Sequence, residues 1–291
     1  MEADEPFRFR NQAKTEQLKK VSKYSELKQW ASGLGSNLDK IEYPAAFGPK
    51  GELLGIACAC DIAQGETILS MPCSARIDFG TIMSSELGPF IKALGVEHDE
   101  ELVMALYIMR QRTLGPLSPL YHSMQTATPP DLAMGWSEEE IAKLQDRTTI
   151  DYVHRMRKHI EGIFSHLYER FLACDSLAQF VPVASWTKEQ VREFFLESFQ
   201  SAATRYIQYE FHLKYMTYMP FIECSNYTPD KLPPLYQCID KEGGVVTQCN
   251  LGYPMCYGIP GLEAHLGRPF SEVKNELSKV VSEKDLDMVD D

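Results

Sequence analysis

Several things this sequence lacks narrow its function. No stretch approaches the ~18 consecutive apolar residues that a membrane-spanning helix requires, so no membrane partner is expected. The N-terminus carries Glu2, Asp4 and Glu5 and has no apolar core of the signal-peptide kind. A cytoplasmic or nuclear protein is therefore expected, not a secreted one. Basic side chains are in deficit, with 29 Lys and Arg against 41 Asp and Glu and a formal charge of −12. Such a balance suits phosphate-backbone neutralisation poorly, so no direct nucleic-acid partner is expected, whereas a basic protein partner is compatible. The 8 cysteines include no C-x-x-C pair, so no structural zinc or other metal is expected, and reduced core thiols are the simplest reading. There is no GxxxxGK[ST] phosphate loop, HExxH, GxSxG elbow or GxGxxG at a strand–helix junction. Internal repeats and low-complexity tracts are absent too.

What is present is an ordinary globular composition, 44% hydrophobic and 24% charged over 291 residues, enough for one large domain or two small ones. Residues 11–32 read as one helix, with Leu18, Val21, Tyr24, Leu27, Trp30 and Ala31 at three- and four-residue steps and Gly33 and Gly35 as the stop. From Tyr43 to Asp78 the pattern changes to short strands, 53–60 and 66–71, between turns at 47–51 and 63–65. Residues 81–212 are mostly helical, with helices at 100–112, 150–174 and 187–209. Ser137 with Glu140, and Thr187 with Gln190, have the spacing of capping boxes. From Lys214 onward the chain breaks into short apolar runs, and 271–291 is an acidic tail. This order predicts an α+β fold, not alternating βαβ units.

Local clusters have plain readings. His154 and His159 with Arg155, Arg157 and Lys158 form a solvated basic helix face or an anion site. Asp99, Glu100 and Glu101, like Glu138–Glu140, sit at helix starts, where the dipole favours negative charge. Cys58 and Cys60 share one face of a predicted strand and read as small core residues.

A more informative signal is the order of several motifs. Gly55-Ile-Ala-Cys-Ala-Cys-Asp61-Ile-Ala-Gln-Gly65-Glu66-Thr-Ile-Leu-Ser-Met-Pro72 resembles the opening strands of a SET domain. Upstream, Leu27-Lys-Gln-Trp30 and the stretch to Ile41-Glu42 resemble that family's leading helix. Downstream, Ser118-Pro-Leu-Tyr121, Trp136-Ser-Glu-Glu-Glu-Ile141 and Leu144 with Thr148 resemble the helical insert of the RuBisCO large-subunit methyltransferase-like subgroup. The resemblance runs from about residue 20 to 227. It implies a SET-type β core with a large inserted helical region, S-adenosyl-L-methionine as cofactor, no metal, and transfer of a methyl group to a lysine or histidine of a protein substrate.

By the same resemblance, residues 43–80 and 195–260 are the two parts of the core, the second divergent. Residues 1–42 are an N-terminal helical segment, 81–194 the insert and 261–291 an acidic tail. Gly55 is the surviving glycine of a G-x-G backbone approach to the cofactor, with Leu53 in place of the other. Arg205 in Ser201-Ala-Ala-Thr-Arg205 matches the arginine of S-x-x-x-R, which helps hold the cofactor, and equally suits a helix C-terminus. Pro220, Glu223, Asn226 and Tyr227 align with P-x-x-D-x-x-N-H, with Glu for Asp and Tyr for His. They imply cofactor contacts at Glu223, Asn226 and Tyr227, although Asn226 is also a plain turn residue before Pro229. Tyr257 in Met255-Cys-Tyr-Gly258 is the candidate catalytic tyrosine, with Tyr253 or a merely structural tyrosine as alternatives. The stretch after residue 258 is too short for the substrate-binding domain of larger members. A degenerate, inactive SET-like binding or scaffold protein is the alternative function.

Overall fold

The computed structural model describes residues 10–63, 66–127, 132–173, 177–182, 185–207, 216–225, 235–239 and 245–249. Two helices lead the chain, α1 (Gln12–Leu18) and α2 (Ser22–Gly33), where periodicity predicts one. Lys19 closes α1, and Val21 is extended (φ −88°, ψ 114°), so the second helix starts afresh. A tertiary bond accounts for the break. Fully buried Thr15 accepts from the Ala46 amide (3.0 Å), and Asn11 N–H donates to the Ala46 carbonyl (2.8 Å). These bonds lay α1 along β1 (Ile41–Phe47), while α2 buries Tyr24, Leu27 and Ala31, the three- and four-residue spacing read from sequence.

β1 pairs antiparallel with β2 (Leu53–Cys58) through a turn in which Gly48 and Gly51 take positive φ, 91° and 67°. A Cβ at Gly51 would lie 2.5 Å from Lys14 Cγ, so only glycine fits there. β2 ends two residues before the predicted limit. Cys58 and Cys60 are exposed and Cys73 and Cys224 half-buried, so the reading of Cys58 and Cys60 as core residues is corrected: they lie where the strand leaves the sheet. Cys60, Cys73 and Cys224 are free thiols.

Of the remaining strands, β3 and β4 take partners from great sequence distances. β3 (Thr67–Met71) pairs antiparallel with β8 (Val245–Cys249), which in turn pairs with β7 (Leu235–Ile239). β4 (Ile77–Asp78) and β5 (Tyr206–Ile207) flank β6 (Thr217–Tyr218). Between them lies the helical block: α3 (Phe79–Met83), α4 (Gly88–Leu94), α5 (Glu100–Leu114), α6 (Tyr121–Thr126), α7 (Glu138–Ala142), α8 (Arg147–Ala173) and α9 (Lys188–Arg205). Capping boxes open α7 (Ser137, Glu140) and α9 (Thr187, Gln190), as their spacing predicts. α9 stops at Arg205, before the predicted 209, because the chain enters β5.

Two apolar clusters divide the interior. One joins the helices through Leu102, Leu106, Phe164, Leu167, Phe195 and Phe199. The other joins α2 to the strands through Leu27, Ile41, Leu69, Met71, Met219 and Phe221. No described helix is long and apolar enough to cross a membrane.

Candidate functional site

The two clusters adjoin in β6 and the residue after it, where Tyr218 belongs to one and Met219 to the other. Val191, Phe195, Phe199 and Ala202 anchor α9 in the helical core, at the three- and four-residue steps of one face. Its final residue, Arg205, is thereby held at the border with the strands. From the strand side, β6 leads through Met219 and Pro220 into a short turn, Ile222–Cys224. Phe221 enters that turn at φ 72°, ψ −45°, a left-handed geometry that is strained for an aromatic residue. Complete burial and packing on Tyr43 (ring centroids 4.8 Å apart) hold it there. The turn aims Glu223 inward.

Arg205 Nη1 donates to Glu223 Oε2. The Glu223 side chain is 1% exposed and that of Arg205 19%, so the carboxylate lies inside and the arginine side chain stays partly exposed. Tyr218 hydroxyl donates to Glu223 Oε1 (3.3 Å) and lies 2.6 Å from Ser123 Oγ. Nearby, Arg112 Nη2 donates to the Ala127 carbonyl and to Ser201 Oγ, both at 2.9 Å. The Cys224 thiol reaches the Tyr43 hydroxyl at 3.9 Å.

The electrostatics follow from burial. Desolvation is the largest single influence and works against the Arg205 charge, yet Glu223, Tyr218 and Cys224 together offset it and the guanidinium is held above its ordinary range. Burial, reinforced by Glu223, pushes the Tyr218 hydroxyl and the Cys224 thiol well up. Burial raises Tyr43 as well. Near neutral pH these three groups remain protonated, so they donate hydrogen bonds and none is a base or thiolate nucleophile. The cluster can hold an anion through Arg205; it has no machinery for proton abstraction among these groups.

Of the residues singled out from sequence, Arg205 and Glu223 come together. Gly55 lies on β2, opposite Ala45 and buried, on a strand that runs beside the Ile222–Cys224 turn. Leu54 and Ile56 pack toward Met219, Phe221 and Ile222, so alternation places Gly55 and Leu53 on the other face, where Leu53 is 38% exposed. Asn226, Tyr227 and Tyr257 lie outside the described residues. Ser123, Tyr218 and Arg112 were not anticipated. Tyr218 reads as one more apolar strand residue, and only its buried hydroxyl, which needs a partner, sets it apart.

The basic run of α8 also divides. Arg155, Lys158 and His159 are exposed, as a solvated face requires. Arg157 is not part of that face: it donates to the carbonyls of Ala133, Met134 and Trp136 and to Glu138, clamping the loop before α7. Glu100, expected to serve only the helix start, also accepts from the Met216 amide at 2.8 Å. Among the described residues, no group of three or more His, Cys, Asp or Glu is placed to hold a metal.

No family model matches the chain. Over 144 residues it is 24% identical to the chloroplastic ribulose-1,5 bisphosphate carboxylase/oxygenase large subunit N-methyltransferase of Nicotiana tabacum, covering 50% of this chain and 28% of that one. Among solved structures it is similar to the SET domain of LSMT bound to lysine and AdoHcy, with a TM-score of 0.61 and 16% identity over 81% of this chain and 52% of that one. It is equally similar to Rubisco LSMT bound to sinefungin and monomethyllysine (TM-score 0.60, 16% identity, 81% and 53%). The chain thus spans about half the length of these solved chains and 28% of the tobacco enzyme. The likeness establishes the fold, α+β with a SET-type core and a large helical region.

Proposed function

We propose that this chain is an S-adenosyl-L-methionine-dependent protein N-methyltransferase. It transfers a methyl group to a lysine of a protein substrate, with histidine as the lesser alternative. The observation that carries this reading is the Arg205–Glu223 pair at the seam of a SET-type fold, on two motif positions that sequence alone could not bring together.

The residues present fit the cofactor's amino-acid end. A carboxylate needs a cation that is fixed yet partly open, and Arg205, anchored by Glu223 with 19% of its side chain exposed, is such a group. Gly55 adds a buried backbone position without a Cβ on the adjoining strand. The cofactor supplies a methyl group on a positively charged sulfonium, open to in-line attack by a neutral amine. Arg205 would bind the carboxylate and Glu223 would orient Arg205. Asn226 and Tyr227, which continue from the same turn, would add contacts, and Tyr257 would orient the acceptor amine. Catalysis of this kind rests on alignment and a dry channel. Residues 43–80 and 195–260 would form the core, with 81–194 as the insert and 1–42 and 261–291 as flanks. The charge of −12 is compatible with a basic protein substrate.

Leu53, standing where the family's first glycine would be, favours a second reading, an inactive SET-like binding or scaffold protein. Calorimetric titration with S-adenosylmethionine separates the two. The enzyme reading expects binding at micromolar concentration and a stability gain of about 2.7 kcal/mol at one hundred times Kd. Failure to bind at millimolar ligand would leave the scaffold reading. Given binding, Tyr257→Phe should reduce methyl transfer, followed by mass spectrometry of a lysine peptide, with cofactor Kd unchanged.

A further inference from the structure

We infer that Tyr218 and Ser123 are positioning residues for the cofactor arginine, so that the helical insert helps set cofactor affinity. This rests on the methyltransferase reading above. An arginine has several rotatable bonds, and a carboxylate partner free to move would leave it many orientations. Here the partner is itself held. Glu223 Oε2 takes Arg205, while Oε1 takes the Tyr218 hydroxyl at 3.3 Å. A carboxylate only accepts, so the Tyr218 proton points to Glu223, and the short 2.6 Å contact must then run from the Ser123 hydroxyl to the Tyr218 oxygen. Tyr218 is 1% exposed and Ser123 0%, so water offers neither a substitute partner.

The chain of bonds crosses a structural boundary. Ser123 belongs to α6 in the helical block, Tyr218 to β6, Glu223 to the turn and Arg205 to the end of α9. β6 has a second tie to the helices, from the Met216 amide to Glu100 at 2.8 Å. The strained Phe221 lies between Tyr218 and Glu223. A turn held in an unfavourable conformation, with its carboxylate fixed from both oxygens, is what precise placement of one guanidinium requires.

The test uses two ligands on the full chain. S-Adenosylmethionine carries the carboxylate; 5′-methylthioadenosine keeps the adenosine and sulfur but lacks that arm. Tyr218→Phe, which removes only the hydroxyl, is expected to raise the Kd for S-adenosylmethionine about tenfold, equivalent to about 1.4 kcal/mol. The Kd for methylthioadenosine should stay within about twofold, a difference too small to reflect a lost hydrogen bond. Ser123→Ala, the milder change and the one to rely on if Tyr218→Phe does not fold, should show the same selectivity at about threefold. A general loosening of the fold would weaken both ligands alike. That result, or no change in either, overturns the inference while leaving the methyltransferase reading intact. A wild-type chain that binds neither ligand overturns both.

Discussion

From Phe79 to Arg205 most backbone hydrogen bonds close within helices, between residues four apart, and packing of the helices follows. The strands on either side close only local pairs by themselves, such as β1 with β2 and β7 with β8. β3, at 67–71, takes its partner from 245–249, and β4, at 77–78, takes its partner from 217–218. The helical block can therefore be formed by local signals and one apolar cluster, whereas the β core exists only once distant parts of the chain have met. The candidate site lies where these regimes touch: Arg205 is the last residue of a helix, and Glu223 follows a two-residue strand.

That contrast can be broken from either side. Phe164 is 1% exposed and packs on Tyr168 and Phe195, with ring centroids 5.6 and 5.7 Å away. Phe164→Ala should cost about 3–5 kcal/mol, read as a lower urea midpoint in circular dichroism. If the helical signal survives as in wild type, the block does not depend on that cluster. Across the seam, Glu223→Ala removes the carboxylate that Arg205 donates to and should cost about 3 kcal/mol, the low end for breaking a buried pair because the Arg205 side chain is 19% exposed. Glu223→Gln, which retains a hydrogen-bonding group, should cost less; equal losses would show that the carboxylate charge, not its geometry, supports the seam.

Smaller effects sharpen the comparison. Ser137→Ala and Thr187→Ala each remove an N-cap and should cost about 1 kcal/mol, measured by chemical denaturation and additive because the two caps are independent. The least effect concerns acid. Bonds from the Ser137 amide and hydroxyl hold the Glu140 carboxyl below its ordinary range, and the Thr149 hydroxyl and amide do the same for Asp146 at the start of α8. A folded-state pKa below the unfolded value contributes stability that is present at neutral pH and lost as pH falls through the folded value. Melting temperature should therefore decline as pH is lowered below about 4, and Glu140→Gln should make that decline shallower. An unchanged slope would mean these caps are already lost before the chain unfolds.

The same division explains what could be read in advance. Capping boxes at 137–140 and 187–190 each span four residues, and the structure has both. The break between α1 and α2 was invisible because a bond that the Ala46 amide, 31 positions away, donates to the Thr15 hydroxyl helps impose it. Arg157 looked like one more cation on a basic face, and only the folded loop shows the carbonyls it clamps. Cys58 and Cys60 alternate like core residues, but their strand ends where they begin to face solvent.

By itself the sequence determined the long helices Glu100–Leu114, Arg147–Ala173 and Lys188–Arg205 within a few residues, the two capping boxes, the α+β order and the individual candidates Gly55, Arg205 and Glu223, since each depends on spacing within a few residues or on a short motif. Only the tertiary structure decided that Arg205 and Glu223 form a pair, that Tyr218 and Ser123 stand behind it, and that β3 and β4 find partners well over one hundred residues away. Those contacts depend on burial and on the directions of hydroxyl and carboxylate groups. Such properties arise only after the two apolar clusters have packed against each other, and no periodicity along the chain encodes them.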